Sequence, residues 1–381
     1  MVYDYDYIRS LTDQYGVGNI LLDMPNYIFI CLLSVGFKYR YKIEWQYIIV
    51  FILTSSLPFV LNGIIFSPKY FPDQYRYWML ANNIRNFDFS NLGAALTVDS
   101  AAFLFSVIPV PTFFTISSLG FANRLLSLLL FVYLYKKSYL TKFSAWFLLL
   151  YPSFLLYSSL SLRDTLILCF MAVSIIFMME KRILLLTLCL IVLLFIKPQN
   201  ALLVLLVCFL YFVLNISQEG ISFKKSAFVF IVCFCLLVSL FPLLAEPINY
   251  YRQAMYTEDG GLGNVEVING IGQFVVSYFE GFLKFLFMPT PLSADSFLQL
   301  LQSFENITVF FILAFLYINA IKNNALRPYT NFWLLVLVLF CGIYGIVVFN
   351  FGTAARYRFP FIIITVLGMC YQRKLICQKN T

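Results

Sequence analysis

Long apolar runs alternate with short polar gaps along almost the whole chain. A helix needs roughly 20 apolar residues to cross a bilayer core of about 30 Å, and several of these runs are close to the lower limit. The pattern predicts an all-α polytopic integral membrane protein with about eleven transmembrane helices. The predicted spans are roughly 18–36, 45–66, 119–135, 143–159, 164–180, 183–196, 201–216, 226–244, 305–321, 331–350 and 357–371.

Every second gap between these spans is rich in Lys and Arg, and the gaps between the basic ones hold most of the acids. The basic gaps contain Lys38/Arg40/Lys42, Lys136/Lys137/Lys142, Lys181/Arg182, Lys224/Lys225, Lys322/Arg327 and Arg373/Lys374/Lys379. This alternation is typical of a multi-pass membrane protein whose basic loops face the cytoplasm. It predicts an N-terminus on the outer side of the membrane and a C-terminus in the cytoplasm.

Two of the predicted outer segments, about 67–118 and 245–304, are too long to be simple turns. Pro109 and Pro111 make the apolar end of the first segment a poor straight span, so we expect an interfacial or re-entrant piece there. In the second segment Glu280 and Lys284 lie four residues apart, which suits one polar face of an interfacial helix. No repeat or soluble domain is visible, and we expect residues 1–381 to form a single membrane domain.

The composition excludes several classes of function. Of the 381 residues, 61% are hydrophobic and 12% are charged, against about 25% charged in soluble domains. The net charge of +8 comes from cations scattered among the spans, which does not favour nucleic acid as a partner. The chain has no histidine, so Ser-His-Asp and Cys-His catalytic sites are excluded. We expect no metal and no cofactor.

Although most Lys and Arg residues lie in the predicted cytoplasmic gaps, a set of seven cations lies on the predicted outer side. A charge buried at the end of a span costs a few kcal/mol unless a partner is present. Each cation alone can be explained by headgroups or a neighbouring acid, but the set favours an anionic ligand, and the planar guanidinium suits phosphate. At the outer leaflet, the obvious anion is a lipid-linked pyrophosphate. Arg124, inside an apolar run, has no assigned role. The set is Arg76, Arg85, Arg163, Lys197, Arg252, Arg356 and Arg358.

Asp73 is the candidate acid, because aromatic residues follow it directly in FPDQYRYW. A carboxylate beside aromatic rings suits a sugar site, where the acid takes a hydroxyl proton and a ring stacks on a pyranose. The alternative is an aromatic belt at the membrane surface, and residue types alone favour the belt slightly. Asp99 and Glu246 are the alternative acids. The aromatic residues are Tyr75, Tyr77 and Trp78.

Three phrases in this order, YPSFLLYSSLSLRDTLILCF, IKPQNALLVLL and NFGTAARYRFPFI, resemble the Wzy-type polymerases of O-antigen and exopolysaccharide. They are also similar to the wider C-type class of polyprenol-sugar-dependent membrane glycosyltransferases. The FPDQYRY segment resembles the acid-bearing first outer loop of that class. Together these pieces cover about a quarter of the chain. Several members carry a histidine in the outer loops, and its absence here leaves the identity of the general base open.

The resemblance implies polymerisation of undecaprenyl-pyrophosphate-linked oligosaccharide repeat units at the periplasmic face of the inner membrane, as in lipopolysaccharide or capsule synthesis. It implies membrane lipid and a separate chain-length regulator protein as partners. Two alternatives remain: a glycosyltransferase that decorates a finished glycan, and a lipid-linked oligosaccharide flippase. The expected catalytic residues are Asp73, Arg163 and Arg356, and the expected substrate-binding residues are Tyr75, Arg76, Asp164, Lys197, Arg252 and Arg358.

Overall fold

The computed structural model describes residues 21–62, 64–66, 71–93, 95–216, 220–258 and 264–379, with residues 373–379 as backbone only. Throughout these residues the regular secondary structure is helical. Among the described residues, five helices are long and apolar enough to cross a membrane: Leu21–Tyr41, Ile116–Lys136, Phe223–Thr257, Phe297–Ile321 and Arg327–Gly345. The prediction of an all-helical chain is confirmed, and these helices are consistent with a multi-pass membrane protein.

The chain divides into two compact units, Met1–Leu206 and Val207–Thr381. The helices that begin in the first unit are α1 Met24–Tyr41, α2 Trp45–Thr54, α3 Leu57–Leu61, α4 Asp73–Arg85, α5 Leu96–Ser106, α6 Ile116–Lys136, α7 Lys142–Leu150, α8 Pro152–Tyr157, α9 Asp164–Met179, α10 Ile183–Ile196 and α11 Pro198–Val213. The second unit contains α12 Phe223–Glu258, α13 Ile271–Phe287, a 3₁₀ turn Pro291–Ser293, α14 Phe297–Ile321, α15 Arg327–Gly345 and α16 Phe351–Lys379.

Each of the eleven apolar runs contains a helix or a pair of short helices. Two of these runs each contain two short helices, although the sequence pattern predicted a single span in each. The run 45–66 divides into α2 and α3, and the run 143–159 divides into α7 and α8. Pro58 and Pro152 lie at the starts of the second members. Proline has no backbone N–H to donate and favours the first turn of a helix, so each run restarts there.

The two predicted outer segments contain helices. The first holds α4 and α5, while residues 67–70 and 94 lie outside the described part of the chain. In the second, α12 does not end with the apolar run at residue 244 but continues through Pro242 and Pro247 to Glu258. The helix therefore extends past residue 245, at which the predicted outer segment begins. The helix expected around Glu280 is present as α13.

Most side chains of α6 are buried within the first unit. The Thr115 hydroxyl accepts a hydrogen bond from the Ser118 amide at the start of α6. The buried Asp23 carboxylate accepts from the Ser118 hydroxyl at 2.6 Å and from Asn26 at 3.0 Å. The Thr115 bond satisfies a backbone amide that a helix start leaves without a partner. The bonds of Asp23 fix the beginning of α1 against the beginning of α6.

In the second unit α13 and α15 approach each other through glycine. A Cβ atom at Gly281 would overlap the carbonyl oxygen of Gly345, and one at Gly345 would overlap the backbone of Gly281. Only glycine lets two helix backbones come this close. This contact places α13 directly against α15, and a groove opens beside it.

Candidate functional site

The groove beside α13 has a volume of about 700 Å³ and is lined entirely by residues of the second unit. Its walls come from α12, α13, α15, the start of α16 and the segment before α13. Apolar and aromatic side chains, among them Tyr256, Phe349 and Phe351, make up much of the lining. Its charged lining residues are Arg252, Glu266, Glu280 and Lys284.

Arg252 is the buried cation of this groove, with only 9% of its surface exposed. Its Nη1 donates to the carbonyl oxygen of Ile346 at 2.6 Å, and its Nη2 donates to that of Glu266 at 3.4 Å. The guanidinium carbon lies 4.9 Å from the centre of the Phe349 ring. Nε is buried and has no hydrogen-bond partner in the described residues. The guanidinium is therefore held in place at the wall of the groove by two backbone carbonyl groups and the Phe349 ring.

Glu280 and Lys284 form an ion pair on the wall of the groove, with Nζ and Oε1 2.6 Å apart. The two residues lie on one face of α13, as their four-residue spacing predicted. The hydrogen bond from Lys284, followed by its charge, lowers the pKa of Glu280 below its ordinary value. Glu280 is therefore a charged hydrogen-bond acceptor at neutral pH. The groove thus presents a buried guanidinium, an ion pair, the Glu266 carboxylate and aromatic rings.

Arg358 is also buried, but its donors are used within the protein. Nη1 donates to the carbonyl oxygens of Phe285 at 2.6 Å and Leu286 at 2.7 Å, and Nη2 donates to Asn306. It thereby fixes the end of α13, where Phe285 lines the groove. Arg356 is half-buried on α16, with its guanidinium carbon 5.9 Å from the centre of the Tyr357 ring. Neither arginine is among the residues that line the groove.

In the first unit, Arg163 joins three of the predicted site segments. Its Nη1 donates to the carbonyl oxygens of Thr97 at 3.2 Å and Ile196 at 3.0 Å. Its guanidinium carbon lies 5.7 Å from the centre of the Tyr77 ring on α4. Lys197 follows Ile196 directly, so the α10–α11 junction lies beside Arg163. The structure thus brings Arg163 next to the backbone at Lys197 and to the helix that carries Asp73.

The remaining predicted residues of the first unit lie at helix starts or on α4. Asp73 is the first residue of α4 and is half-buried, and Asp164 is the first residue of α9 and is buried. A carboxylate in a first helical turn is stabilised by the helix dipole. On α4, Tyr75 is buried and Arg76 is half-buried.

Arg85, another predicted outer cation, donates to the carbonyl oxygens of Ser106 at 3.0 Å, Val110 at 3.5 Å and Ile108. Burial lowers the pKa of its guanidinium. Ser106 is the last residue of α5, and Ile108 and Val110 follow shortly after it. Arg85 therefore holds the end of α5 and the turn after it in place.

Sequence reasoning missed a set of buried amides beside these residues. Asn62 and Gln74 bond to each other, and Asn123 donates to two carbonyl groups just before Arg163. An amide residue inside an apolar stretch, as in FANRLL, could have indicated them. A buried amide must find hydrogen-bond partners, so such a residue predicts a polar contact inside the protein. Sequence reasoning also missed Glu266 and Glu280 as site residues, because nothing in the sequence places them in one groove with Arg252.

Comparisons of this chain with protein-family models, with curated proteins and with solved structures find no match.

Proposed function

We propose that this chain is a membrane glycosyltransferase that lengthens a glycan carried on undecaprenyl pyrophosphate at the periplasmic face of a bacterial inner membrane. In this proposal the eleven apolar segments cross the membrane, the N-terminus is periplasmic and the C-terminus is cytoplasmic. The alternating Lys and Arg content of the gaps supports this orientation. The resemblance of the SLRD, KPQN and ARYRF phrases to the Wzy-type polymerases supports the activity.

The groove of the second unit is the observation that carries the proposal. The Arg252 guanidinium, which lines the groove and is fixed by two backbone carbonyl groups, suits a phosphate group that needs a fixed cation. The carboxylates of Glu266 and Glu280 suit sugar hydroxyls, and the rings of Tyr256 and Phe349 suit a pyranose face. A volume of about 700 Å³ lies within the ~300–1,000 Å³ typical of ligand pockets. One groove therefore offers groups for both parts of a sugar pyrophosphate.

The proposed reaction transfers the growing glycan to a new repeat unit. A hydroxyl at the non-reducing end of the lipid-linked repeat unit attacks the anomeric carbon of the growing glycan. A glycosidic C–O bond forms, the anomeric C–O bond to pyrophosphate breaks, and undecaprenyl pyrophosphate leaves with the electron pair. A carboxylate accepts the hydroxyl proton. Fixed guanidinium groups stabilise the negative charge that develops on the leaving pyrophosphate.

The roles assigned from the sequence become testable parts of this proposal. Arg252 is the proposed phosphate ligand of the groove, and the catalytic roles that the sequence suggested for Asp73, Arg163 and Arg356 stay predictions that each need their own variant. Arg358 acts by holding the end of α13, because its donors already bond to protein acceptors. The proposal also retains as substrate-binding residues Tyr75, Arg76, Asp164 and Lys197.

The glycan profile of a deletion strain tests the proposal. Without a polymerase, the cell makes core that carries one repeat unit. A decorating glycosyltransferase would leave the chain at full length, and a flippase would leave no repeat unit at all. The wild-type gene should restore the long-chain ladder, and Arg252→Ala should not, despite equal amounts in the membrane. A deletion strain with full-length glycan, or with none, would overturn the polymerase assignment.

A further inference from the structure

A buried, non-helical segment leads directly to Arg163. Residues 158–163 connect α8 to α9 without regular helix, and residues 158–162 are all fully buried. Irregular backbone in a membrane protein is stable only where its polar groups find partners inside the protein. The partners of this segment therefore determine where Arg163 lies.

Side chains from α4 and α6 supply these partners. The Asn123 amide donates to the carbonyl oxygens of Leu160 and Leu162, both at 2.7 Å. The backbone amide of Ser161 donates to Gln74 Oε1 at 2.8 Å. Gln74 is the residue after Asp73 on α4, so this bond ties the segment to the helix that bears the predicted base.

Arg124, the residue after Asn123, holds the beginning of the same segment. Its Nη1 donates to the Ser158 hydroxyl at 3.0 Å, and its Nη2 donates to the Thr54 hydroxyl at 2.8 Å. The Ser55 hydroxyl lies 3.5 Å from Nη2, and the Phe51 ring centre lies 4.6 Å from the guanidinium carbon. Only 1% of Arg124 is exposed.

These acceptors are neutral hydroxyl groups, which is unusual for so deeply buried a cation. A buried charge is costly unless it is well bonded, and a hydrogen bond from a charged donor is about twice as strong as a neutral one. Arg124 therefore joins the end of α8 to the break between α2 and α3 with strong, directed bonds.

Close packing leaves the segment little freedom to move. A Cβ atom at Gly120 would lie 2.5 Å from the carbonyl oxygen of Ser159. Gly120, Asn123 and Arg124 lie on one face of α6, at the three- and four-residue spacing of a helix. One face of α6 thus packs against and hydrogen-bonds to residues 158–162.

We propose that Asn123 and Arg124 are positioning residues that hold the segment 158–162 and thereby fix the guanidinium of Arg163 for glycosyl transfer. The inference rests on the proposed function, because it assumes that Arg163 takes part in that transfer. Arg124 touches no substrate in this account. Its effect on the reaction passes through Arg163.

A double-mutant cycle on the purified full chain tests this inference, with lipid-linked repeat units extracted from the deletion strain as substrate. Arg163→Ala should lower kcat by about 100-fold. Arg124→Met should lower kcat by about 30-fold or more, with KM changed less than about threefold, because misplacement mainly weakens transition-state contacts. In the Arg163→Ala background, Arg124→Met should cost less than about threefold further. Arg40→Met, which removes an exposed arginine at the end of α1, is the control.

Equal fold losses in the two backgrounds would overturn the inference, because Arg124 would then act independently of Arg163. Arg124→Lys keeps the charge but not the planar guanidinium that reaches Ser158 and Thr54 together, and we expect an intermediate kcat. This variant serves in the cycle if Arg124→Met does not fold. Hydrogen exchange gives a readout without activity: Arg124→Met should increase amide exchange in residues 158–163, and unchanged exchange contradicts the inference.

Two results separate this inference from the proposed function. If Arg163→Ala is fully active while Arg252→Ala is inactive, the positioning inference fails and the groove proposal stands. If the wild-type protein makes no polymer from any lipid-linked unit, the proposed function fails.

Discussion

Asn62 and Gln74 exchange two hydrogen bonds through their side-chain amides, at 3.1 and 3.0 Å. Both residues are buried, and Gln74 Oε1 also accepts from the Ser161 amide. One side chain thus connects the end of α3, the first turn of α4 and the segment before Arg163. Such a shared acceptor matters more for stability than an isolated surface hydrogen bond.

Gln74→Ala should lower the free energy of unfolding by about 1–3 kcal/mol, because it leaves the Ser161 amide and the Asn62 side chain without partners. Thermal unfolding in detergent measures the loss. Asn86→Ala, an exposed amide at the end of the same helix, should change stability by less than about 0.5 kcal/mol. Equal losses in the two variants would contradict this account of the network.

Alanine substitution at two glycines of α13 should have opposite effects on stability. At Gly281 the new methyl group would meet the Gly345 backbone, whereas at Gly272 nothing lies within 4 Å. Gly281→Ala should cost about 1–3 kcal/mol because the helices must move apart. Gly272→Ala should be neutral or stabilising by up to about 1 kcal/mol, because alanine favours helix. A stable Gly281→Ala variant would disprove the close contact.

Glu180 should make stability depend on pH. Burial raises its pKa, but hydrogen bonds from Lys137 and Tyr139 and the charges of Lys137 and Arg182 outweigh this, so the pKa is lowered overall. A lowered carboxylate pKa stabilises the fold above its unfolded value of about 4.3, and the effect disappears as pH falls through the folded value.

The melting temperature of Glu180→Gln should therefore lie below that of the wild type at pH 7, by an amount that corresponds to about 1 kcal/mol or less. The gap should close as pH falls below about 4. Asp295→Asn, which changes an exposed carboxylate, serves as control and should show little difference at either pH. A gap that stays constant with pH would contradict the account.

The two arginines of the ARYR phrase should differ in their effect on stability. Arg358→Met leaves the carbonyl groups of Phe285 and Leu286 and the Asn306 side chain without their donor. The expected loss is about 3 kcal/mol or more. Arg356→Met changes a half-buried residue and should cost less. Unfolding midpoints in detergent compare the two, and the reverse order would contradict the structural role of Arg358.

The sequence predicted where helices form more reliably than where they end. Each apolar run contains a helix because a buried backbone must satisfy its own hydrogen bonds. The breaks at Ser55–Ser56 and Tyr151 depend on nearby prolines, which hydropathy ignores. The end of α12 at Glu258 was missed because a helix can continue into polar sequence.

For the candidate site, residue type and local position identified Arg252 as a predicted substrate-binding residue, whereas Glu280 and Lys284 were predicted only as the polar face of an interfacial helix. The sequence did not reveal that Glu266 lies in the same groove, because that depends on packing between segments far apart in the chain. Similarly, the sequence does not distinguish Arg252 from Arg358, because both are cations of the predicted outer side. Only their hydrogen bonds distinguish a groove-lining arginine from one that holds the end of a helix.

Polymer synthesis by the purified chain tests the central claim most directly. The full chain in nanodiscs is incubated with lipid-linked repeat units from the deletion strain, and products are separated by length. Wild type and Arg327→Gln, which changes an exposed arginine outside the groove, should give a ladder of long glycans. Arg252→Gln should reduce its formation by about 100-fold or more. A ladder from Arg252→Gln equal to that of the wild type would contradict the account.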